Sequence, residues 1–361
     1  GGNIGRNTAP YLIASYYDSS LVDGMAGSVN TPPNKDIRWE KTTTVNVGVD
    51  FALFRHRLSG TIEYYNKYSV DLLAAINGSP TQGFGYTTLM TNNGKMVNRG
   101  VEITLSGEII RQKDFSWNAS LLYAFNRNKV KHISVQPSLW DSRISMPTSY
   151  PMVGKPLYGI YAYKWAGLNE NGDPQVYDAE NNVTSGPARD YHALVYCGTT
   201  VPIHNASLTN VLRYKGFEFS AMLILDAGHK LRSSNIPSIN MSNGRITSTA
   251  KGIVDRWTQP GDVTDVPRLL FSNDTENFNT HRTELYRYSD LFVYDASNIR
   301  LSNISLAYRV PAHWCKKISL SGARLQFNVE NVATFAFDSK ANYDLGGKVK
   351  PYYVWGLYLN F

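Results

Sequence analysis

The side chains that commonly perform enzymatic chemistry are dispersed in this sequence. Its seven His form no H-E-x-x-H segment, and Cys197 and Cys315 belong to no C-x-x-C or Cys/His spacing typical of zinc. No G-x-S-x-G segment is present, and the carboxylates are too dispersed to nominate an acid/base pair. We therefore expect a protein that is not an enzyme, with no catalytic residue, no metal ligand and no cofactor.

The segment Asn169–Asp173 comes nearest to a metal-binding pattern. It places oxygen-bearing side chains at alternate positions, as calcium-binding loops do. It lacks the complete D-x-D-x-D-G pattern and the final bidentate Glu of such loops. The prediction for this segment is therefore a polar turn.

Composition narrows the class of protein. The 361 residues include 36 Lys or Arg and 29 Asp or Glu, which gives a formal net charge of +7. No basic stripe interleaved with stacking aromatics is present, so we expect no nucleic-acid partner. Disorder is excluded by the aromatic share of 12% and the charged share of only 18%. No apolar run of about 18 residues occurs, which excludes a helical membrane span.

Alternation of apolar and polar residues is the dominant pattern. Every second residue from Val45 to Leu53 is apolar, and the residues between them are small or polar. Successive side chains of a strand point to opposite faces, so each such segment predicts a strand with one apolar and one polar face. The pattern occurs at residues 45–53, 58–65, 101–106, 117–126, 206–212, 217–225, 304–310, 323–330 and 353–361.

The connections between these segments differ in length. Short charged turns alternate with long polar connections, which we expect at Leu72–Val97, Lys131–Lys155, Gly228–Asp295 and Ala333–Lys350. This asymmetry is typical of an outer-membrane barrel, which has tight periplasmic turns and long extracellular loops. The sequence therefore predicts an all-β protein, a transmembrane antiparallel β-barrel that contacts lipid in the cell outer membrane.

The predicted strand count is about eleven. It includes a less regular pair near Leu157–Trp165 and Pro174–Asp178. Bacterial single-chain barrels have an even number of strands, and an open sheet edge in hydrocarbon costs several kcal/mol for each unpaired backbone group. We therefore expect a companion segment to close the barrel.

The two cysteines are predicted to lie at opposite ends of a strand. Cys197 falls in an outer connection and Cys315 in an inner turn. A membrane-spanning strand of roughly 30 Å in height separates them, whereas a disulfide bridges Cα atoms no more than about 7 Å apart. We therefore expect Cys197 and Cys315 not to be bonded to each other.

An ordered series of segments resembles one family of transporters. The stretch Arg38–Phe51, which contains W-E-K-T followed by N-V-G-V-D-F, is similar to a segment of SusC/RagA-type TonB-dependent transporters. The series continues in the order of that family over nearly the whole chain, with Tyr64–Lys67, Asn98–Glu102, Phe115–Trp117, Asn126–Val130, Gly154–Leu157, Tyr214–Glu218, Arg256–Trp257, Pro260–Asp262 and Asn298–Ile304.

The resemblance implies a barrel of 22 strands with an N-terminal plug. Residues 1–361 would form the C-terminal half of that barrel, with about eleven strands. The plug domain and the N-terminal half-barrel would then lie outside this chain, and TonB would be engaged through that missing N-terminal part.

The resemblance also implies partners and a function. Such transporters pair with a SusD-like surface lipoprotein that closes over the barrel, and they import an oligosaccharide or, in some members, a peptide. The expected function is TonB-dependent import of such a nutrient across the outer membrane.

Aromatic loop residues are the candidates for contact with the ligand or the lid. Ring faces stack on polar ligands, and binding residues favour loops, although most loop residues serve packing. The candidates are Phe84, Tyr86, Trp140, Tyr150, Tyr191 and Phe271.

Phe361 is a candidate barrel-assembly signal. The alternating residues 353–361 end on this aromatic residue, which resembles the signal by which outer-membrane barrels are recognised for insertion. An ordinary aromatic residue at a strand end would produce the same pattern, so both interpretations stay open.

Two other classes of protein are compatible with these patterns. One is a TonB-dependent siderophore or cobalamin receptor, which would work without a lid lipoprotein. The other is a non-transporting surface adhesin or a soluble β-sandwich binding module, which would leave the membrane fraction without detergent.

Overall fold

A computed structural model describes most of the chain. The described residues are 13–18, 24–31, 34–77, 88–134, 142–186, 190–242, 245–269, 280–346 and 350–361.

Strands dominate the described part of the chain. They are β1 (Ile13–Asp18), β2 (Met25–Thr31), β3 (Lys41–Leu53), β4 (Leu58–Asn77), β5 (Thr88–Arg111), β6 (Phe115–His132), β7 (Gly159–Tyr163), β8 (Trp165–Leu168), β9 (Pro174–Tyr177), β10 (Val183–Thr184), β11 (Leu194–Thr199), β12 (His204–Tyr214), β13 (Phe217–Ala227), β14 (Lys230–Arg232), β15 (Ile239–Ser242), β16 (Arg245–Thr249), β17 (Val293–Asp295), β18 (Asn298–Arg309), β19 (Gly322–Ala336) and β20 (Tyr352–Asn360). The α-helices are α1 (Ser142–Ser145), α2 (Thr280–Arg287), α3 (Ala312–Lys316) and α4 (Asn342–Gly346).

Nine strands form one antiparallel sheet in the order β20-β19-β18-β13-β12-β6-β5-β4-β3. Strands β1 and β2 pair with each other in a separate two-stranded sheet. Within the described residues, the nine-stranded sheet does not close on itself, and β3 and β20 are its margins.

The strand registers separate the residues of this sheet into an apolar face and a polar face. One rung of the apolar face runs from Val47 through Tyr64 and Val101 to Phe125. On the margin strand β3, the side chains of Val45, Val47 and Val49 are 53%, 62% and 62% exposed. Because these residues are not buried in a globular core, the apolar face is available to contact lipid. The two-faced strands predicted from the sequence are confirmed.

The polar face carries hydrogen-bonded side chains. Thr61 donates its hydroxyl to Asp50 Oδ1 at 2.6 Å across β3 and β4. Glu218 on β13 accepts from Arg213 at 2.7 Å and from Arg324 at 3.1 Å. The two bonds to the Glu218 carboxylate link β12, β13 and β19. Such charge-assisted hydrogen bonds are stronger than neutral ones.

Packing around Gly100 accounts for the glycine in Asn98–Glu102, one of the segments that resemble the transporter family. The Tyr65 ring on the polar face occupies the space above Gly100, where a Cβ would overlap the ring and the Phe125 carbonyl. Only glycine permits this close approach, so the Asn98–Glu102 segment serves strand packing at this position.

The two ends of the sheet differ, as predicted. At one end, short connections join β3 to β4, β5 to β6 and β12 to β13, and a turn containing α3 joins β18 to β19. In the β3–β4 turn, Phe54, Arg55 and His56 have φ of 54°, 56° and 66°. The long connections lie at the other end, which we call the loop end.

One predicted long loop is partly strand. We expected a polar loop over Leu72–Val97, but β4 continues to Asn77 and β5 begins at Thr88, with Leu73 opposite Asn92 and Ala74 opposite Thr91. Register shifts between Ser69 and Leu73 interrupt the alternation, while backbone pairing continues beyond them.

The less regular predicted pair does not join the nine-stranded sheet. In the Leu157–Trp165 region, β7 pairs with β11, and in the Pro174–Asp178 region, β9 lies between β8 and β10. All five residues of β7 are buried, so this strand lacks the one-sided exposure of a spanning strand. Its tyrosines Tyr161 and Tyr163 belong to a small core with Val176, Ala193, Leu194 and Leu285.

Cys197 on β11 and Cys315 in α3 are both free, as predicted. Among the described residues, no helix has the length and apolar character needed to cross a membrane.

Candidate functional site

The polar face contains a shallow pocket of about 290 Å³, which we call the wall pocket. It lies over β5, β6, β12 and β13, and its polar lining residues include Glu102, Asn205 and Asp226. Because each strand contributes every second residue to this face, four neighbouring strands bring hydrogen-bonding groups to one surface.

Asp226 is the centre of the wall pocket's charge network. Its Oδ2 accepts from the Arg300 guanidinium at 3.0 Å, and its Oδ1 accepts from the Asn205 amide at 2.7 Å. The Asp226 side chain is 19% exposed and that of Arg300 48%, so the carboxylate is sheltered and the guanidinium faces solvent. The network presents one cationic group and one amide to a polar molecule on this face.

A second pocket, of about 680 Å³, lies at the loop end and is called here the loop pocket. Its lining combines Arg232 and Arg287 with the ring of Tyr288, and it also includes Ser233, Ser234, Ser238, Thr283 and Tyr286. The guanidinium carbons of Arg232 and Arg287 lie 5.4 and 5.6 Å from the centroid of the Tyr288 ring. Aromatic faces next to hydroxyl and guanidinium donors suit a polar organic ligand.

Arg232 holds the floor of the loop pocket in place. It donates to the backbone carbonyls of Tyr161 at 2.6 Å and of Ser289 at 3.4 Å. Burial lowers the pKa of Arg232 from its ordinary value, and carbonyl bonds compensate for the lost hydration of the guanidinium.

The Asn169–Asp173 turn anchors one wall of the loop pocket. Asn169 Oδ1 accepts from the backbone N–H groups of Asn171 and Asp173, both at 2.9 Å. Asp173 accepts from Arg268 Nη2 at 3.1 Å and from Arg282 Nε at 2.6 Å. The Asp173 carboxylate therefore binds two guanidinium groups. Through Arg282 it fastens α2 to the β8–β9 hairpin.

Asp344 in α4 fixes the opposite rim. Its carboxylate accepts from the hydroxyls of Ser233 and Ser234, both at 2.7 Å, and from the Ser234 backbone N–H at 3.0 Å. Three bonds to one carboxylate join the last long connection to the lining of the loop pocket.

Two of the predicted contact residues are described. Tyr150 is buried, and its carbonyl accepts from Arg143 Nε at 3.3 Å. Tyr191 is half-buried in a short 3-10 helix, Tyr191–Ala193, and its ring centroid lies 4.9 Å from the Arg143 guanidinium carbon. Arg143 thus brings these two tyrosines together beside the small core. Phe84, Tyr86, Trp140 and Phe271 lie outside the described residues.

Phe361 follows β20 at the end of the sheet with short turns. It is 92% exposed, and its backbone oxygen accepts from the Ser321 hydroxyl at 3.3 Å. Its role in assembly stays a prediction.

Sequence reasoning did not identify the residues of the two pockets. Arg232, Arg287 and Tyr288 belong to the connection Gly228–Asp295, which has no repeating pattern. Asp226 and Arg300 lie outside the predicted alternating segments 217–225 and 304–310, and only the strand order makes β13 and β18 neighbours.

Known proteins resemble this chain in sequence and in structure. Residues 2–332 match the family model described as TonB dependent receptor-like, beta-barrel. TonB-dependent receptor P3 of Formosa agariphila is 26% identical over 332 residues, which cover 86% of this chain and 31% of that protein. TonB-dependent receptor SusC of Bacteroides thetaiotaomicron is 25% identical over 312 residues, covering 82% of this chain and 29% of that protein.

A solved structure of the RagAB peptide transporter has the same fold. The TM-score is 0.73 at 22% sequence identity, over 98% of this chain and 39% of the compared chain. The chain spans about a third of the length of the curated relatives it matches.

Proposed function

The chain belongs to the TonB-dependent receptor-like β-barrel family of outer-membrane proteins, and from this premise we propose that it forms part of the wall of a nutrient importer. The importer takes up an oligosaccharide, or alternatively a peptide, together with a SusD-like surface lipoprotein. A plug and further strands outside this chain complete the barrel, and TonB supplies the energy through the plug.

The two-faced sheet is the observation that supports this proposal most strongly. The Val47–Tyr64–Val101–Phe125 rung faces one side, and Asp50, Glu218 and Asp226 lie on the other. A transmembrane barrel needs an apolar exterior, and a polar interior provides an aqueous path for a hydrophilic nutrient. No covalent step is required for such transport.

The loop pocket is the proposed first contact for the nutrient. The Tyr288 ring offers a stacking surface, and the exposed side chains of Thr283 and Arg287 offer hydroxyl and guanidinium groups for a hydroxyl-rich ligand. We place the lid lipoprotein over the loop end, with Tyr191 as a proposed contact. Phe84, Tyr86, Trp140 and Phe271 lie outside the described residues and stay predicted contacts.

A peptide is the second candidate cargo. The solved relative is named a peptide transporter, and the guanidinium of Arg287 at the loop pocket suits a peptide carboxylate. The oligosaccharide takes precedence because six of the sixteen lining residues are Ser, Thr or Tyr, against four Arg.

Uptake by cells tests this function. Cells that carry the full-length transporter gene, and cells that lack it, are given fluorescent oligosaccharide and peptide mixtures. We expect uptake of either the oligosaccharides or the peptides to disappear in cells that lack the gene. Tyr288→Ala should reduce that uptake several-fold, whereas Lys113→Ala, at the end of the sheet with short turns, should leave it unchanged. Unchanged uptake of both classes in the deletion strain would contradict the proposal.

Co-purification tests the partner. The proposal expects a SusD-like lipoprotein to be isolated with the full-length transporter in detergent. An importer isolated without such a lipoprotein, and active in cells that lack it, would contradict the lid mechanism.

A further inference from the structure

A strongly cationic pocket lies on the apolar side of the sheet at the loop end. Its volume is about 600 Å³, and we call it the cationic notch. None of the described residues that line it carries a carboxylate. Its five cationic lining residues are Arg99, Arg127, Lys129, Lys131 and Lys155.

The register places three of these cations on the same face as the apolar rungs. Val101 lies opposite Phe125, and two residues further along the strands Arg99 lies opposite Arg127. The next pair on this face is Val97 and Lys129. Arg99, Arg127 and Lys129 therefore lie next to the apolar rungs, on the side nearer the loop end.

The height of the apolar face locates these cations relative to the bilayer. Phe115 and Phe125 are about ten residues apart on β6, which at about 3.4 Å per residue and a tilt of about 45° gives roughly 24 Å. This matches the apolar band of an outer-membrane barrel, which is about 25 Å tall. Arg127 then lies at the level of the lipid headgroups of the outer leaflet.

None of the carboxylates in the described part of the chain pairs with a cation of the notch. Arg99, Arg127, Lys129 and Lys131 are exposed, and none of the five forms an ion pair with a described carboxylate. Among the described residues, the Arg99 side chain donates to the neutral Asn66 amide oxygen, at 3.1 Å. Like charges directly opposite on neighbouring strands are destabilising, so the arrangement favours an anion that bridges Arg99 and Arg127.

The far side of the notch is held rigidly against β6. Gly154 N–H donates to the Val130 carbonyl at 2.8 Å, and Val130 N–H donates to the Lys155 carbonyl at 2.9 Å. The Asn128 side chain accepts from the Leu157 N–H at 2.8 Å. Lys155 Nζ lies 4.8 Å from the centroid of the Tyr196 ring, so the notch combines cations with a ring surface.

We propose that the cationic notch binds the phosphate group of a lipid headgroup in the outer leaflet of the membrane. Guanidinium and ammonium groups bind phosphate through charge-assisted hydrogen bonds. The apolar residues Phe125, Val201 and Ile203 in the same lining contact the less polar part of the lipid. The site is separate from the nutrient pathway, because Arg99, Arg127 and Lys129 lie on the opposite face of the sheet from Asp226.

Native mass spectrometry of the full-length transporter in neutral detergent tests this site. The probes are a phosphorylated lipid A, the same lipid without phosphate, and inorganic phosphate. The test protein carries Arg99→Gln, Arg127→Gln and Lys129→Gln, and the matched control carries Lys113→Gln, Lys215→Gln and Lys316→Gln at the other end of the sheet. The heat-dependent shift of a folded barrel on a gel verifies that each variant is folded.

The expected result is specific for phosphate and for the notch. The bound fraction of phosphorylated lipid falls about tenfold or more in the notch variant, because each cation near an anionic headgroup contributes to attraction. The control variant binds as the unsubstituted protein does, and the lipid without phosphate binds weakly to all three.

Three results would overturn the proposal. One is equal binding of phosphorylated lipid by the notch variant and the unsubstituted protein. Another is saturation of the notch by inorganic phosphate with no effect on lipid binding. The third is loss of the lid lipoprotein in the notch variant with lipid binding unchanged, which would identify the notch as a protein interface.

Discussion

Arg99 of β5 lies directly opposite Arg127 of β6 on the apolar face of the sheet. The neighbouring rung on the same face pairs Val101 with Phe125. Two guanidinium groups in register cost free energy in the absence of an anion. The boundary between the apolar rungs and this charged rung therefore marks the height at which the barrel wall emerges from the hydrocarbon core of the bilayer.

Reversing one of these charges is expected to change stability in a way that depends on the surrounding lipid. Arg127→Glu converts the like-charged pair to an opposite-charged pair, which stabilises the barrel by about 0.2–1 kcal/mol in uncharged detergent. In vesicles with phosphorylated lipid, the same substitution removes a guanidinium group that binds the lipid phosphate. The increase in stability is therefore lost. Urea unfolding of the full-length protein in both media measures this difference, with Arg127→Gln as the control. An equal effect of Arg127→Glu in both media would contradict the expectation.

Asp173→Asn is expected to loosen the loop pocket without unfolding the sheet. The Asp173 side chain is 19% exposed and that of Arg282 12%, so the substitution leaves two poorly hydrated guanidinium groups without their anion. We expect a local destabilisation of about 1–3 kcal/mol, the cost of leaving buried donors without their acceptor. Hydrogen exchange should quicken in β8, β9 and α2 and stay unchanged in β12 and β13.

The matched control for this substitution is Glu170→Gln. Glu170 lies on the same turn and is exposed, so its neutralisation should leave the exchange rates as they are. Equal protection in the Asp173→Asn and Glu170→Gln proteins would show that the Arg268 and Arg282 contacts do not hold the pocket.

Cys197 is expected to react slowly with alkylating reagents at neutral pH. Burial raises the pKa of the Cys197 thiol to about 11, with Asp290 adding to the effect. Only the thiolate reacts, so in a Cys315→Ser background the alkylation rate should rise about tenfold per pH unit and level off near pH 11. A rate that levels off near pH 9, the ordinary thiol value, would contradict the burial of Cys197.

Phe361→Ala is expected to reduce the amount of folded barrel in the outer membrane. Phe361 is 92% exposed, so its truncation removes little packing, and a loss of folded protein would reflect recognition during assembly. The measurement compares folded and unfolded full-length protein in membrane fractions, with Phe361→Tyr as the control that keeps the ring. Equal folded amounts in the Ala and Tyr proteins would favour the interpretation as an ordinary aromatic residue at a strand end.

The sequence allowed the two faces of the sheet to be predicted because strand side chains alternate with a period of two. Val45, Val47 and Val49 needed no knowledge of neighbouring strands to be placed on one face. The alignment of Arg99 with Arg127 was not predictable, because it depends on a register shift between Glu108 and Ile110 in the β5–β6 pairing.

The loop end was the least predictable part. Strand β7 is buried on both faces, so it has no alternation to distinguish it from other apolar segments. The loop pocket depends on contacts over long separations in the sequence, such as the hydrogen bond from Arg282 to Asp173. Each of these residues has many possible partners in the sequence alone.

The orientation of the two faces is the central claim, and accessibility of single cysteines on the interior strand β5 tests it most directly. In the full-length protein with Cys197→Ser and Cys315→Ser, Ile103→Cys and Thr104→Cys are compared in lipid vesicles. The account predicts that a fluorophore at residue 103 is quenched by nitroxide-labelled lipid and that residue 104 reacts with a water-soluble thiol reagent. Lipid quenching at residue 104, with water-soluble labelling at residue 103, would contradict it.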